Sequence, residues 1–290
     1  MVKSFLQYIQ YEKKYSSCTV FSYHNDICQF QDFLLENYSL PIEESQLKHI
    51  RSWIIYLKNK NIESSSINRK LSALKSLFKY GLRNNIIKAN PCIKLQSLKT
   101  SKKLPVFFKE SELESILETN KHRGNSFVEL RNNIILEILY QTGIRRAELI
   151  GLKDSDFNFF SLTLRIIGKG NKERIIPISK ELKEITEKYI NIKNQVFDSP
   201  FLILTDTGEQ AYPNLIYRIV KNNMSEVTSL SKRSPHVMRH SFASGLLNNG
   251  AEISAVKELL GHANLAATQI YTHTSYEQLK KTYKQAHPRK

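Results

Sequence analysis

The sequence is poor in acid. Its 290 residues hold 43 Lys and Arg against 27 Asp and Glu, a formal charge of +16 with histidine neutral. Between Ser64 and Lys103 there is no Asp or Glu, yet ten basic residues lie there: Arg69, Lys70, Lys75, Lys79, Arg83, Lys88, Lys94, Lys99, Lys102 and Lys103. Such an excess attracts polyanions, whether DNA, RNA or an anionic membrane surface. A lysine-rich run is commonly just a solvated helix face. A stretch this long with no acid favours phosphate contact, because each neutralised phosphate releases counterions. Arg69, Lys70, Lys75 and Lys79 are the candidate phosphate contacts.

Other absences narrow the class. The three cysteines, Cys18, Cys28 and Cys92, are odd in number and lack CxxC or Cys/His metal spacing, so reduced cytosolic thiols are expected. No uncharged apolar run reaches the roughly 18 residues of a membrane span, and no membrane partner is expected. The opening MVKSFLQYIQYEKK has no continuous apolar segment before a small-residue cleavage site, so no signal peptide is expected. Internal repeats and low-complexity segments are lacking too. With 41% hydrophobic residues the chain is long enough for two domains, each with its own core.

Up to about Asn90 the pattern is helical. In SCTVFSYHNDICQFQDFLLENY, Val20, Tyr23, Ile27, Phe30 and Leu34 recur at helical spacing, with Ser16, Ser17 or Thr19 as candidate caps. QLKHIRSWIIYLKNK and SSSINRKLSALKSLFKYGLRNN are two further amphipathic stretches; Ser64–Ser66 offers an N-cap, and Gly81 lies near the expected C-terminus. Residues 1–90 therefore predict a small helical bundle. Residues 91–104, in a Pro- and Lys-rich break of periodicity, predict an interdomain linker, and 105–290 a second domain. There, VELRNNIILEILYQTG reads as a helix stopped by Gly143, LTLRII-GKGNKE-RIIPI as a β-hairpin, and FLIL as a third strand. After about Tyr212 the pattern is helical again. The expected fold class is mainly α with a small antiparallel sheet.

Four polar clusters stand out: TGIRRAEL (142–149), GKGNKER (168–174), SPHVMRH (234–240) and GHANLAATQIYTH (261–273). His236 and His240, four apart on a helix, invite a metal site. Val237 replaces the glutamate of the zinc-protease pattern, and Arg239 sets a fixed cation beside the pair, so no metal is expected. A phosphate fits better. Ser234 and Pro235 are a cap and a first-turn proline, and Arg239 shares a face with His236 while Met238, Phe242 and Leu246 turn to the core. An arginine there is a fork for two phosphate oxygens. Arg145 or Arg146, which spacing alone does not separate, opens another helix, with Glu148 one turn on from Arg145. Lys169 sits between two glycines at a hairpin tip, in a loop that does not match the P-loop pattern.

Singly these clusters decide nothing. In their order, Thr142-Gly143-Ile144-Arg145…Glu148-Leu149, Gly168-Lys169-Gly170, His236-x-x-Arg239, Gly261-His262 and Tyr271, they resemble the tyrosine recombinase family over nearly the whole chain. The closing YTHTSYEQLKKTYKQAHPRK is similar to the end of the Xer branch. The resemblance implies a helical core-binding domain followed by a catalytic domain. It implies catalysis by Arg145, Lys169, His236, Arg239, His262 and the nucleophile Tyr271, with Glu148 as a supporting, positioning residue and Arg146 set aside. His240 and His273 also match common family residues, without direct chemistry. No cofactor, metal ion or ATP is implied.

The resemblance further implies double-stranded DNA carrying a specific site as substrate. It implies a homotetramer, or a heterotetramer with a related recombinase, and a possible DNA-translocase activator. The last helix, with Tyr276, Leu279 and Tyr283, is expected to dock on a neighbouring protomer. Chromosome-dimer resolution in the cytoplasm is the expected role. The integrase of a phage or conjugative element is the alternative, less favoured because the chain starts directly with the core-binding bundle and ends in AHPRK.

Overall fold

Ser16 opens the longest helix of the N-terminal half, its Oγ accepting from the Thr19 amide at 3.3 Å. In the computed structural model, which describes residues 1–100, 107–121, 124–168, 170–228, 230, 232–261 and 286, the chain divides into two units, Met1–Lys103 and Leu104–Lys290.

The first unit is helical. Helix α1 (Val2–Gln7) runs into a π-helical turn at Tyr8–Glu12, followed by α2 (Ser17–Tyr38), α3 (Leu47–Asn59) and α4 (Ser64–Arg83). Helix α4 packs on the other three. The core gathers Phe5, Phe30, Trp53, Leu74 and Phe78, with the Phe30 and Trp53 rings 5.0 Å apart. One expectation shifts. The N-cap of α4 is Glu63, because Ser64 is already helical and its Oγ accepts from Lys58 Nζ at 2.9 Å. Gly81 lies in the last turn of α4, near the C-terminus as expected, where a Cβ would come within 2.6 Å of the Met1 sulfur. Close approach of the amino terminus, not a helix stop, explains that glycine.

The segment expected to begin the linker belongs in part to this unit. Cys92 and Leu95 are buried in its core. Asn68, on α4, clasps Leu98 twice: Nδ2 donates to the Leu98 carbonyl at 2.9 Å, and Oδ1 accepts from its amide at 2.8 Å.

The second unit is built round one helix. It comprises α5 (Glu110–Lys121), α6 (Phe127–Thr142), α7 (Arg146–Gly151), strands β1 (Phe157–Asn158), β2 (Thr163–Ile167) and β3 (Glu173–Pro177), then α8 (Lys180–Val196), α9 (Pro213–Met224), α10 (Pro235–Asn248) and α11 (Ile253–Leu260). Helix α6 touches α5, α7, α8, α9 and α10. It is buried nearly all round from Leu130 to Thr142, its polar residues Arg131, Asn133, Glu137, Gln141 and Thr142 included. Gly143 ends it in the left-handed conformation, φ 58°.

The sheet is antiparallel in the order β1-β2-β3, with Leu164 opposite Ile176 and Ile167 opposite Glu173. The hairpin forms as the alternation predicts, but the third strand is Phe157–Asn158 and not FLIL. Residues 201–204 make only isolated bridges. Their carbonyls are taken by side chains: Lys193 Nζ donates to Phe201 O at 3.0 Å, Tyr189 OH to Leu202 O at 2.9 Å, and Arg131 Nη1 to Leu204 O at 3.2 Å. A run so bonded is buried without needing a ladder partner. No helix among the described residues is long and apolar enough to cross a membrane.

Candidate active site

Two helix ends and two helix starts meet at the site. Helix α6 ends at Gly143, and α11 ends at Gly261, also left-handed at φ 62°. Carbonyls at helix C-termini lack intrahelical partners and carry the negative end of the helix dipole. Here arginines from other elements take them. Arg239, near the start of α10, donates from Nη1 to Gly143 O at 2.7 Å and from Nη2 to Leu260 O at 2.6 Å. Arg145, the N-cap of α7, donates from Nη2 to Gly261 O at 2.9 Å.

Glu148 is the acid between these cations. Its carboxylate accepts from the Arg145 amide and Nη1, each at 2.8 Å, and from Arg174 Nη1 at 3.0 Å and Nη2 at 2.8 Å. Burial alone raises its pKa, but the hydrogen bonds and charges of Arg174 and Arg145 outweigh that and hold it below the ordinary carboxylate range. The buried Arg239 guanidinium has its pKa brought down to about 10, first by burial and then by the nearby charge of Arg145. Two guanidiniums thus bond one carboxylate, a third, Arg239, feels its charge while bonding main-chain carbonyls, and an anion is the group that fits this excess of cations.

His236 follows Pro235 at the start of α10, where Ser234 caps the helix by accepting from the Val237 amide at 3.4 Å. Its pKa is lowered by burial of part of the ring, then by the charges of Arg146, His240, Arg239 and Arg145. The ring is therefore neutral near pH 7 and free to accept a proton. Among the described residues, no cluster of three His, Cys, Asp or Glu side chains is placed to hold a metal ion.

Of the residues expected at the site, Arg145, Glu148, His236 and Arg239 come together. Arg145 and Arg146 now separate: Arg146 turns to α9, its Nη1 3.4 Å from the Pro213 carbonyl. Lys169, His262 and Tyr271 lie outside the described residues, as do His273, Tyr276, Leu279 and Tyr283. Ala286, from the last segment, is buried in its own unit and its carbonyl accepts from Asn249 Nδ2 at 2.9 Å.

Arg174 was not singled out from the sequence. Its signal is phase: on β3 it shares the inward side with Ile176, where a charged residue calls for a partner.

The expected phosphate contacts on α4 divide. Lys70 is buried, its Nζ donating to Asp26 Oδ1 at 2.9 Å and to Gln29 Oε1 at 2.6 Å, and Arg69 pairs with the same Asp26. Lys70 thus serves the interior of the first unit and drops out as a phosphate contact. Lys79 is exposed and Lys75 half-buried.

The chain matches known proteins along nearly its whole length. Residues 106–278 match the model of the phage integrase family, and residues 2–85 that of the phage integrase N-terminal SAM-like domain. The chain is 35% identical over 289 residues to tyrosine recombinase XerC of Staphylococcus saprophyticus, covering 99% of this chain and 97% of that protein. It is 36% identical over 291 residues to tyrosine recombinase XerC of Staphylococcus aureus, covering 99% and 96%. Among solved structures, it superposes on XerH site-specific recombinase bound to difH substrate with a TM-score of 0.72 at 21% identity, over 97% of this chain and 83% of that one. The Tn1549 transposon integrase in complex with transposon right-end DNA gives 0.70 at 20% identity, over 97% and 98%.

Proposed function

The chain belongs to the phage integrase family, as a tyrosine recombinase of the Xer type, and on that premise we propose how its residues cut and rejoin DNA. The observation that carries the reading is the convergence of Arg145 and Arg239 with the single carboxylate of Glu148, which leaves cationic N–H groups for an anion.

Tyr271 is the nucleophile. A phenol of pKa about 10 is weakly nucleophilic at neutral pH and must lose its proton as it attacks. Its oxygen bonds to the scissile phosphorus while the bond to the 5′-oxygen breaks. His236, neutral at rest, takes the phenolic proton. Arg145 and Arg239 hold the non-bridging oxygens as they gain charge, which is the task a metal ion performs in many nucleases. His262 donates a hydrogen bond to the same phosphate. Lys169 gives the departing 5′-oxygen its proton. The 3′-phosphotyrosyl link keeps the phosphodiester energy, so a second 5′-hydroxyl reverses the step on a new partner without ATP.

The substrate is duplex DNA with a specific site, bound through the α4 surface bearing Lys75 and Lys79 as well as through the catalytic unit. Breaking four strands calls for a tetramer, of this chain alone or with a related recombinase. The setting is the cytoplasm at the nucleoid, and the task is resolution of chromosome dimers, with a DNA translocase as activator. Full-length identity to XerC proteins supports this over the mobile-element alternative.

The test is covalent trapping on nicked duplexes carrying candidate sites from the host chromosome. The wild-type chain should form a protease-sensitive protein–DNA adduct; Tyr271→Phe should bind the same DNA and form none. An adduct persisting in Tyr271→Phe overturns the nucleophile.

A further inference from the structure

Arg174 stands five residues past Lys169, on the returning arm of the hairpin, with only 7% of its surface exposed. Its guanidinium donates within the protein from every nitrogen. Nη1 and Nη2 hold the two oxygens of Glu148, and Nε donates to Leu259 O at 2.9 Å. Gly261 lies against it, so that a Cβ there would meet Nη1 at 3.1 Å. One side chain therefore ties together the hairpin bearing Lys169, the carboxylate that holds Arg145, and the end of α11 that leads into His262.

We propose that Arg174 is a positioning residue for strand cleavage: it occupies Glu148 so that Arg145 keeps its aim at the phosphate. The proposal rests on the recombinase reading of the site. In this proposal Arg174, bonded through Nε and both Nη atoms to Leu259 and Glu148, acts on the phosphate through Glu148 and the end of α11. Without it, half of the bonds to the Glu148 carboxylate are lost. The donor that remains on it is Arg145, already at 2.8 Å, and Arg239 is close enough for the two charges to attract. Glu148 would then draw both guanidiniums inward and compete with DNA for them. Lysine cannot replace the fork, because one ammonium does not span two carboxylate oxygens and the Leu259 carbonyl together.

The experiment measures single-turnover adduct formation on nicked duplex, with DNA affinity and thermal melting alongside, for the wild type, Arg174→Gln, Arg174→Lys, Glu148→Gln and the Glu148→Gln/Arg174→Gln pair. Arg174→Gln should bind DNA as the wild type does and react on the order of 100-fold more slowly, the scale of a small misplacement of catalytic groups. The pair should be no slower than the slower single variant, since the two residues act in one chain of contacts. Arg174→Lys should fall between Arg174→Gln and wild type, and decides the matter if Arg174→Gln melts early.

Multiplying deficits in the pair, a wild-type rate for Arg174→Lys, or slowing accounted for by lost DNA binding overturns the proposal. If the wild-type chain forms no adduct on any such DNA, the recombinase reading falls and takes this proposal with it. If the wild type reacts but the variants give any of those three overturning results, the role of Arg174 alone falls.

Discussion

Arg239 and Gly143 lie 96 positions apart in the chain and meet at 2.7 Å, guanidinium to main-chain carbonyl. The bond fixes the start of α10 against the last turn of α6, the most buried helix of the second unit. It also depends on how α6 ends. Gly143 adopts φ 58°, and a Cβ there would lie 2.3 Å from Phe242 Cδ1, on the same helix as Arg239.

Gly143→Ala should therefore harm stability and catalysis together. A left-handed alanine costs roughly 1–2 kcal/mol before any clash, and forcing a methyl into a packed core adds to that. Urea denaturation should show a loss of at least about 2 kcal/mol. Adduct formation should fall further than the folded fraction does, because the carbonyl that holds Arg239 moves with the strained residue. A wild-type unfolding midpoint would contradict this account.

The pH profile should respond to charges around His236. Its pKa lies below the usual 6.5 through burial and then through Arg146, His240, Arg239 and Arg145. Cleavage that needs the neutral ring should hold through pH 6.5 and fall only at lower pH. Arg146→Ala removes a cation that opposes protonation, so the pKa rises and the acidic limb moves to higher pH. The sign also fixes stability: between the lowered pKa and 6.5 the unfolded chain binds more protons, and the contribution of His236 falls as pH falls through that window. An NMR titration of His236 checks both; an unmoved or lowered pKa in Arg146→Ala contradicts them.

Lys70 and Lys79 should separate stability from DNA affinity. Lys70→Ala deprives the buried Asp26 of a partner, leaving Arg69. It should cost about 1–3 kcal/mol, the range for stranding a buried polar group. Lys79→Ala should leave melting unchanged and weaken binding to all duplexes alike. Its dependence of log K on log salt should be shallower by about 0.9, one phosphate contact. An unaltered salt slope would remove Lys79 from the interface.

Lys193 offers a test of the scaffold alone. It is fully buried on α8, its Nζ donating to Asp154 Oδ2 at 2.7 Å and to the Ser199 and Phe201 carbonyls at 3.0 Å. Removing one partner of a buried ion pair typically costs about 3–5 kcal/mol, and water reaching the partly exposed Asp154 reduces that. Lys193→Met should show a loss of about 2–3 kcal/mol by denaturant titration. A change under about 1 kcal/mol would mean that the methionine repacks the site as an apolar core does.

Much of this was legible in the residues themselves. Ser234-Pro235 announced a helix start, Gly143 a helix stop, and the alternation about Gly168 a hairpin, because each signal is local. FLIL was misread since its carbonyls are claimed by Lys193, Tyr189 and Arg131, side chains that are distant or not flagged by any pattern. Lys70 passed for a surface cation because Asp26, its partner, lies 44 positions earlier. Arg145 and Arg146 are indistinguishable by spacing; partners far along the chain, Gly261 for Arg145 and Pro213 for Arg146, tell them apart. The interior charges were hidden for one reason. Composition counts a cation, but its partner is chosen by the fold.

The oxygens that hold Arg145 and Arg239 at the ends of α6 and α11 all come from the peptide backbone. Every amino acid supplies such an oxygen, so the receiving half of these bonds is insensitive to side-chain replacement at Leu260. Only the two turn glycines expose it to mutation, through chain direction and not through chemistry. An alanine scan of the region would therefore register the arginines and the two glycines and pass over the Leu260 carbonyl.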